Sequence, residues 1–250
     1  SGHDTGREGA AVVRGFPLAG IYNLYAVAEL MNVGYALPQI LLISYSSMIL
    51  LAALLPRLAP LSSIPDEYIS GRSRYAARAE GRRRGMPVLR WALFRGTAQA
   101  RRMNAAKYLR ESRYIIFSLI FSTVPLMITF GTLLLLAADL TPAAKLIAAP
   151  FSALFFLLGS PEWEIVAESA VFAFVDQYLA AAAGHALLTE AGRVSCVCLS
   201  VVGLINLTEV GLHVWHSSIP LKLWQMAAVY VMRIALSALI VIPAARLLFP

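Results

Sequence analysis

The composition of this 250-residue chain excludes a soluble globular domain. Hydrophobic residues make up 59% of the chain, charged residues make up only 14%, and the mean hydropathy is +0.69. A helix needs about 20 mainly apolar residues to cross the hydrocarbon core of a membrane. Two long stretches without formal charge, residues 30–56 and 114–138, meet that length. We therefore expect an all-α, polytopic bundle of about six or seven membrane segments in contact with a lipid bilayer.

The distribution of charge matters more than the net charge of +7. Fourteen of the 21 Lys and Arg residues lie between residues 57 and 113, against only four acidic residues in the same segment. The positive-inside rule places such a short basic segment, flanked by apolar spans, in the cytoplasm. We predict that residues 57–113 form a basic helical cytoplasmic loop, whose amphipathic helices either contact anionic lipid headgroups or are solvated. Nucleic acid is not an expected partner.

The chain divides by composition into four parts. A polar tail, residues 1–13, precedes a first transmembrane helix pair, residues 14–56, in which Gly34 marks the turn between helices 15–32 and 35–56. The basic loop follows, and residues 114–250 form a C-terminal transmembrane bundle. Because the chain opens with Ser1 and has no signal-peptide pattern, we expect a piece of a longer protein.

Proline positions predict the helix boundaries of the C-terminal bundle. Thr141-Pro142 and Ser160-Pro161 each place a capping side chain before a proline at the first helical position, which predicts helices over 142–159 and 161–184. The first is short and Pro150 is expected to divide it, so it is either a full span or a re-entrant half-helix. Pro125 is a possible kink in the preceding span. Two more helices are predicted over 193–213 and 220–248.

Ionisable residues inside the predicted spans are the candidates for function. A charge at the bilayer centre costs about 2.5–3.5 kcal/mol, so it usually faces a partner or a water-filled cavity. The chain has four such residues, Glu29, Asp176, Glu209 and Arg233. Three acids and one base cannot all pair, which favours a hydrated or ligand-binding site. Alternatively, Arg233 pairs with Glu209 or Asp176 for structural reasons, while Glu29 reaches the membrane interface.

Polar neighbours extend this candidate site. Gln177 follows Asp176, and Asn206 and Thr208 precede Glu209 in an apolar helix, although both could simply bond to neighbouring helices. The predicted substrate-binding set is Glu29, Asp176, Gln177, Asn206, Thr208, Glu209 and Arg233.

No metal, cofactor or catalytic residue is expected. His213 and His216 lie far along the chain from Cys196 and Cys198, so a shared metal site is improbable, and two cysteines in an apolar run imply no disulfide framework. The chain also has no Walker loop, GxGxxG, HExxH or GxSxG pattern, which argues against ATP hydrolysis and against a known intramembrane hydrolase mechanism. We do not expect an enzyme.

Five segments occur in an order that resembles a known family. They are PRLAPLSSIPDEY (56–68), LTPAAKLIAAP (140–150), FAFVDQYLAAA (172–182), NLTEVGLHVWHSSIPL (206–221) and VMRIALSALIVIPAARLLF (231–249). From about Val12 onward the chain resembles the bacterial YjiH-like membrane proteins, which are longer at the amino end and carry the nucleoside-recognition (Gate) domain. The resemblance implies a domain related to those of concentrative nucleoside transporters, ferrous-iron permeases and spore maturation proteins, located in the inner membrane.

The resemblance also implies site residues. Asp176 and Glu209 match two acids of the family's motifs, and Arg233 matches an arginine. Ala180 replaces a proline that the family's pattern has after Leu179, and residues 206–208 replace a more aromatic and Met-rich run, so the chain departs from the family's pattern near both acids.

These observations favour a transport or gating protein for a nucleoside-like or ionic solute, with homo-oligomers possible. The alternative is a non-transporting membrane scaffold that acts through its basic loop. An enzyme acting on lipid or peptide is the third and weakest reading.

Overall fold

The computed structural model describes residues 23–58, 124–203 and 222–250, with isolated positions between residues 90 and 121. All regular secondary structure in these parts is helical. The chain splits into two compact units, one of Ser1–Ile64, Met127–Ser217 and Leu221–Pro250 and the other of Pro65–Leu126 and Ser218–Pro220. The packing and the sites described below belong to the first unit.

The first two helices are joined by a tight turn. Residues 23–30 are helical (α1), a 3₁₀ turn covers Gly34–Ala36, and α2 covers Leu37–Leu54 before a second 3₁₀ turn at Leu55–Arg57. Asn32 adopts φ 56°, and its N–H and that of Val33 donate to the carbonyls of Glu29 and Ala28. This is the Schellman arrangement that ends a helix. The left-handed residue of the predicted turn is therefore Asn32 and not Gly34.

The next two helices are sharply bent relative to each other. Helix α3 (Val124–Leu140) and helix α4 (Ala143–Leu157) meet at an angle of 84° between residues 138 and 143. Pro125 is the second residue of α3. Pro150 does not divide α4, which continues through it, so the prediction of a division there is wrong. Thr141 donates its hydroxyl to the carbonyl of Ala137 at 2.6 Å, and Pro142, without a side-chain cap, precedes α4.

A second Schellman turn connects α4 to α5 (Trp163–Val175). Gly159 has φ 71°, and the N–H groups of Gly159 and Ser160 donate to the carbonyls of Phe156 and Phe155. The predicted Ser160-Pro161 helix start is wrong, because Ser160 donates to the carbonyl of Pro161 at 3.1 Å and the helix begins two residues after Pro161.

A central helix with small polar side chains organises the first unit. The remaining elements are α6 (Gln177–Ala183), a 3₁₀ turn at Gly184–Ala186, α7 (Glu190–Gly203) and α8 (Leu223–Leu248). In α7, every residue except Glu190 and Arg193 is buried, because the helix contacts α2, α5, α6 and α8. The apolar core of the unit is built around it.

Two helical segments of the described residues are long and apolar enough to cross a membrane. They are Gly34–Leu54 and Leu223–Leu248, and the bent pair α3–α4 raises the number to three if it counts as one span. Pro243 lies inside α8 without ending it. The all-helical class is thus confirmed, and these spans agree with residence in a membrane.

Candidate functional site

The region predicted as one helix over 161–184 is broken at Asp176. Helix α5 ends at Val175, Asp176 is extended at φ −158° and ψ 141°, and α6 starts at Gln177. The Asp176 carboxylate accepts from the backbone N–H of Tyr178 at 2.7 Å and of Leu179 at 3.4 Å. An aspartate side chain that satisfies these N–H groups lets a new helix begin inside the protein. Asp176 is only 4% exposed, so the break is buried.

Gln177 brings an unsatisfied donor to the break. Its side chain is 4% exposed, and its Nε2 has no hydrogen-bond partner among the residues that the structure describes. Such atoms are rare in native proteins and call for an explanation. The neighbouring Tyr178 donates its hydroxyl to Asn23 Oδ1 of α1 at 3.3 Å, which ties the break to the first helix.

Arg233 is half-buried on α8, and its guanidinium bonds to backbone. Its Nε and Nη2 donate to the carbonyl of Val202 in α7 at 3.0 and 2.9 Å. One turn earlier, Tyr230 donates its hydroxyl to the carbonyl of Ala170, and its ring lies 5.0 Å from that of Phe174. These contacts hold α8 against α5 and α7. The α5 residues involved, Ala170 and Phe174, lie close in sequence to the break.

Glu29 lies apart from the buried break. It is exposed and sits at the end of α1, where its carboxylate lies against Gly34. Tyr25, one turn earlier on α1, hydrogen-bonds to it. Asn23 contacts Tyr178 at the break. Glu29 lies six residues further along α1, which corresponds to about 9 Å along the helix axis. Asp176 and Gln177, which are neighbours in sequence, are both buried at the break, whereas Glu29 is at the surface.

The other predicted members of the site lie outside the described residues. These are Asn206, Thr208 and Glu209, and the same holds for His213 and His216. Within the described part of the chain, no group of three or more His, Cys, Asp or Glu side chains is placed to hold a metal ion. The predicted site of seven residues thus remains a prediction.

Small hydroxyl and thiol groups lie in the core beside the break. Cys196 points its thiol at the carbonyl of Ala180 in α6 at 3.7 Å, and Cys198 points its thiol at that of Ile40 in α2 at 3.9 Å. Ser195 and Ser44 are also buried, and the Ser195 hydroxyl has no hydrogen-bond partner in the part of the chain that is described. In the sequence, the run VSCVCLS indicates these buried hydroxyl and thiol groups, which carry no formal charge.

A clamp between two helix starts was also missed. Glu162 has φ 51°, and its carboxylate accepts from the backbone N–H groups of Leu188 and Thr189 at 2.8 and 2.9 Å and from the Thr189 hydroxyl at 2.7 Å. Burial raises the pKa of Glu162. These hydrogen bonds and the nearby charge of Arg193 lower it by more than burial raises it, so the pKa of Glu162 lies below its ordinary value. Glu162 thereby anchors the start of α5 to the start of α7.

An open groove lies between α4 and α5. It has a volume of about 630 Å³ and is lined by Lys145, Ala149, Ser152, Ala153, Phe156, Trp163, Glu164 and Glu168. Sequence reasoning did not single out the charged members, although Glu164 and Glu168 stand one turn apart inside a predicted membrane helix.

Comparison with known proteins gives one curated relative. The chain is 26% identical over 249 residues, or 99% of its length, to an uncharacterized protein of Alkalihalophilus pseudofirmus. It spans 53% of that protein, about half of its length. No family model matches the chain, and no solved structure matches it.

Proposed function

We propose that this chain is a transport or gating protein of the inner membrane that recognises a nucleoside-like or ionic solute at the α5–α6 break. In this proposal the chain is multi-pass, with about six or seven membrane segments, and residues 57–113 are cytoplasmic. Asp176 and Gln177 contact the solute. Asn206, Thr208, Glu209 and Arg233 complete the site, and Glu29 lies at its approach.

The observation that carries the proposal is the buried Gln177 Nε2 beside the helix break, which has no hydrogen-bond partner among the described residues. Leaving a buried donor unsatisfied costs about 1–3 kcal/mol, which a polar ligand would recover. Discontinuous helices whose polar backbone and side chains face the protein interior are typical of solute sites in secondary transporters. The resemblance to Gate-domain proteins supports a nucleoside as the first solute to test.

The test is a ligand-stability screen of the purified protein against nucleosides, sodium and divalent cations. We expect at least one compound to raise the melting temperature of the wild type. Gln177→Met keeps the volume of the side chain and removes the orphan donor, so this variant should be at least as stable as wild type without ligand but should lose the shift. The matched control is Gln39→Met, which changes an exposed glutamine on α2.

Two outcomes would overturn the proposal. One is that no compound stabilises the wild type. The other is that a compound stabilises Gln177→Met as strongly as it stabilises the wild type and Gln39→Met.

A membrane scaffold is the second candidate, and one contact favours it. Arg233, a charged residue of a candidate span, is bonded to the carbonyl of Val202 and so already has a structural role. Neutralising Glu209 separates the two functions. If Glu209→Gln abolishes solute uptake while the protein still folds and assembles, transport is supported, whereas loss of assembly supports the scaffold.

A further inference from the structure

The two ends of the segment that contains α5 and α6 are held together. Glu162 lies directly before α5, and its carboxylate accepts from the backbone N–H groups of Leu188 and Thr189, which follow α6. Helices of 13 and 7 residues that ran in one direction would extend about 30 Å. Because the ends meet within a hydrogen bond, the chain must reverse its direction between them.

The thiol of Cys196 shows where the chain reverses. It hydrogen-bonds to the Ser169 side chain of α5 and lies 3.7 Å from the carbonyl oxygen of Ala180 in α6. Along a continuous helix, Ser169 and Ala180 would lie about 16 Å apart, too far for one sulfur atom to contact both. Between them the helix is interrupted at Asp176, where the backbone is extended. Helices α5 and α6 are therefore the two arms of a hairpin, with Asp176 and Gln177 at its tip.

The base of this hairpin lies at the end of the first unit that is opposite to the basic loop. Tyr35, in the turn between α1 and α2, hydrogen-bonds to Glu190, which follows the clamped residues. Near the end of α8, the Arg246 guanidinium lies against Gly159, just before α5. Helix α2 runs about 27 Å from the turn toward Arg57, where the basic loop begins. The base and the basic loop are thus separated by the length of a candidate span.

Helix α8, another candidate span, measures how deep the hairpin reaches. Tyr230, near the start of α8, contacts Ala170 and Phe174 of α5. The stretch of α8 from Tyr230 to Arg246 corresponds to about 24 Å, compared with roughly 30 Å for the hydrocarbon core of a membrane. Asp176 follows shortly after Phe174 and is 4% exposed. The tip therefore lies deep inside the bundle.

We propose that residues 161–189 form a re-entrant hairpin, which enters and leaves the membrane on the face opposite to the basic loop. An interrupted backbone is tolerated at such depth when it is buried in protein, as it is at Asp176. The hairpin carries Asp176 and Gln177 into the interior and is fastened at its base by Glu162 and at its tip by the hydrogen bond from Tyr178 to Asn23. This topology does not depend on whether a solute binds at the tip.

The first test measures whether the chain reverses. Cysteines that replace Glu162 and Thr189 in the full chain should be bridged by mild oxidation or by a short bismaleimide, since the two side chains are 2.7 Å apart. The control pair, Glu162→Cys with Leu223→Cys at the start of α8, should not be bridged. Peptide mass mapping identifies the bridge. If the clamp variants do not fold, Glu164→Cys and Leu188→Cys, which leave the clamp in place, are bridged with a longer bismaleimide.

The second test measures on which face the base lies. Leu188 is 81% exposed, so we expect Leu188→Cys to react with a membrane-impermeant maleimide. Intact cells and inside-out vesicles expose opposite faces, and Ser73→Cys, in the basic loop, is the reference. Leu188→Cys should react in the preparation in which Ser73→Cys does not.

Two results would overturn the proposal. Cysteines at the base that react singly with maleimide but are never bridged would show that the segment does not return. Reaction of Leu188→Cys in the same preparation as Ser73→Cys, or in neither preparation, would show that the hairpin does not enter from the assigned face.

Discussion

Asp176 combines two properties at one position, a buried carboxylate and a helix cap. Its carboxylate accepts backbone N–H groups that the chain interruption would otherwise leave unpaired. A hydrogen-bond acceptor is sufficient for the cap, whereas recognition of a cation or a polar solute makes use of the charge. The two roles can therefore be separated by substitution.

We expect Asp176→Ala to lower the free energy of unfolding by about 1–2 kcal/mol, since the cap is lost. Asp176→Asn keeps an acceptor, so its stability should be close to that of the wild type, while solute-dependent stabilisation is lost. Thermal unfolding in detergent, with and without the compound found in the screen, measures both effects. Similar melting temperatures for the Ala and Asn variants would contradict the capping role.

The sequence alone identified some residues of the candidate site and missed other features of it. Asp176 and Arg233 were singled out because a charge in an apolar run is conspicuous, and both are at least half-buried. The break at Asp176 was not predicted, because FAFVDQYLAAA has the composition of a continuous helix. The orphan state of Gln177 depends on tertiary packing, which no local pattern encodes.

Among the helices, α7 depends on close backbone approach to α8. A Cβ on Gly203 would lie 2.8 Å from Cε2 of Tyr230, a ring held by its hydrogen bond to Ala170. At Gly131 in α3, the one contact that a Cβ would make with the described residues is with Leu179 Cδ1, at the ordinary distance of 3.6 Å.

We therefore expect opposite effects from the same substitution at these two glycines. Gly203→Ala should be destabilising by about 1–3 kcal/mol, because the Tyr230 ring must move. Gly131→Ala should be neutral or stabilising by up to about 1 kcal/mol, the helix propensity gained. Melting temperatures of the two variants check this, and a Gly203→Ala protein as stable as Gly131→Ala would show that α7 and α8 have room to separate.

The Glu162 clamp makes the pairing of α5 and α7 sensitive to acid. The pKa of Glu162 is lower in the folded protein than the ordinary 4.5. The stabilisation that its carboxylate provides is therefore complete above pH 4.5 and is lost as the pH falls through the folded-state pKa. We expect Glu162→Gln to be about 1 kcal/mol less stable at neutral pH, with the difference from wild type shrinking below the ordinary pKa.

Thermal unfolding across this acidic range measures the effect. Gln39→Met, which changes an exposed uncharged side chain outside the clamp, is the control and should show no such pH-dependent difference. A constant difference between Glu162→Gln and wild type at all pH values would contradict the clamp.

Helix boundaries near prolines were predicted less well than the helices themselves. The spans over 35–56 and 220–248 are matched by α2 and α8, because long charge-free runs leave few alternatives to a helix. At Ser160-Pro161 a Schellman turn and the Glu162 clamp set the start of α5 instead of the expected cap. Long-range hydrogen bonds from Leu188 and Thr189 decide that boundary, and they are invisible in the local sequence.

For the whole molecule, the positive-inside rule makes a direct prediction of orientation. We expect a cysteine introduced at Ser73, within the basic loop, to react with a membrane-impermeant maleimide in inside-out vesicles but not in intact cells. The unmodified chain is the control, since Cys196 and Cys198 are buried, at 1% and 0% exposure, and should not react. Labelling of the Ser73 variant in intact cells would reverse the assigned orientation.

The burial of α7 on all sides has a consequence for biosynthesis. Its stretch from Glu190 to Gly203 carries four Ser and Cys residues, together with Glu190 and Arg193, and neighbouring helices cover its apolar residues. Such a segment gains little from entering a bilayer alone. Stable insertion of α7 therefore requires α8, which is synthesised later. Truncated chains that end before residue 223 lack α8, so their α7 should be unprotected and the nascent protein should be degraded by quality-control proteases.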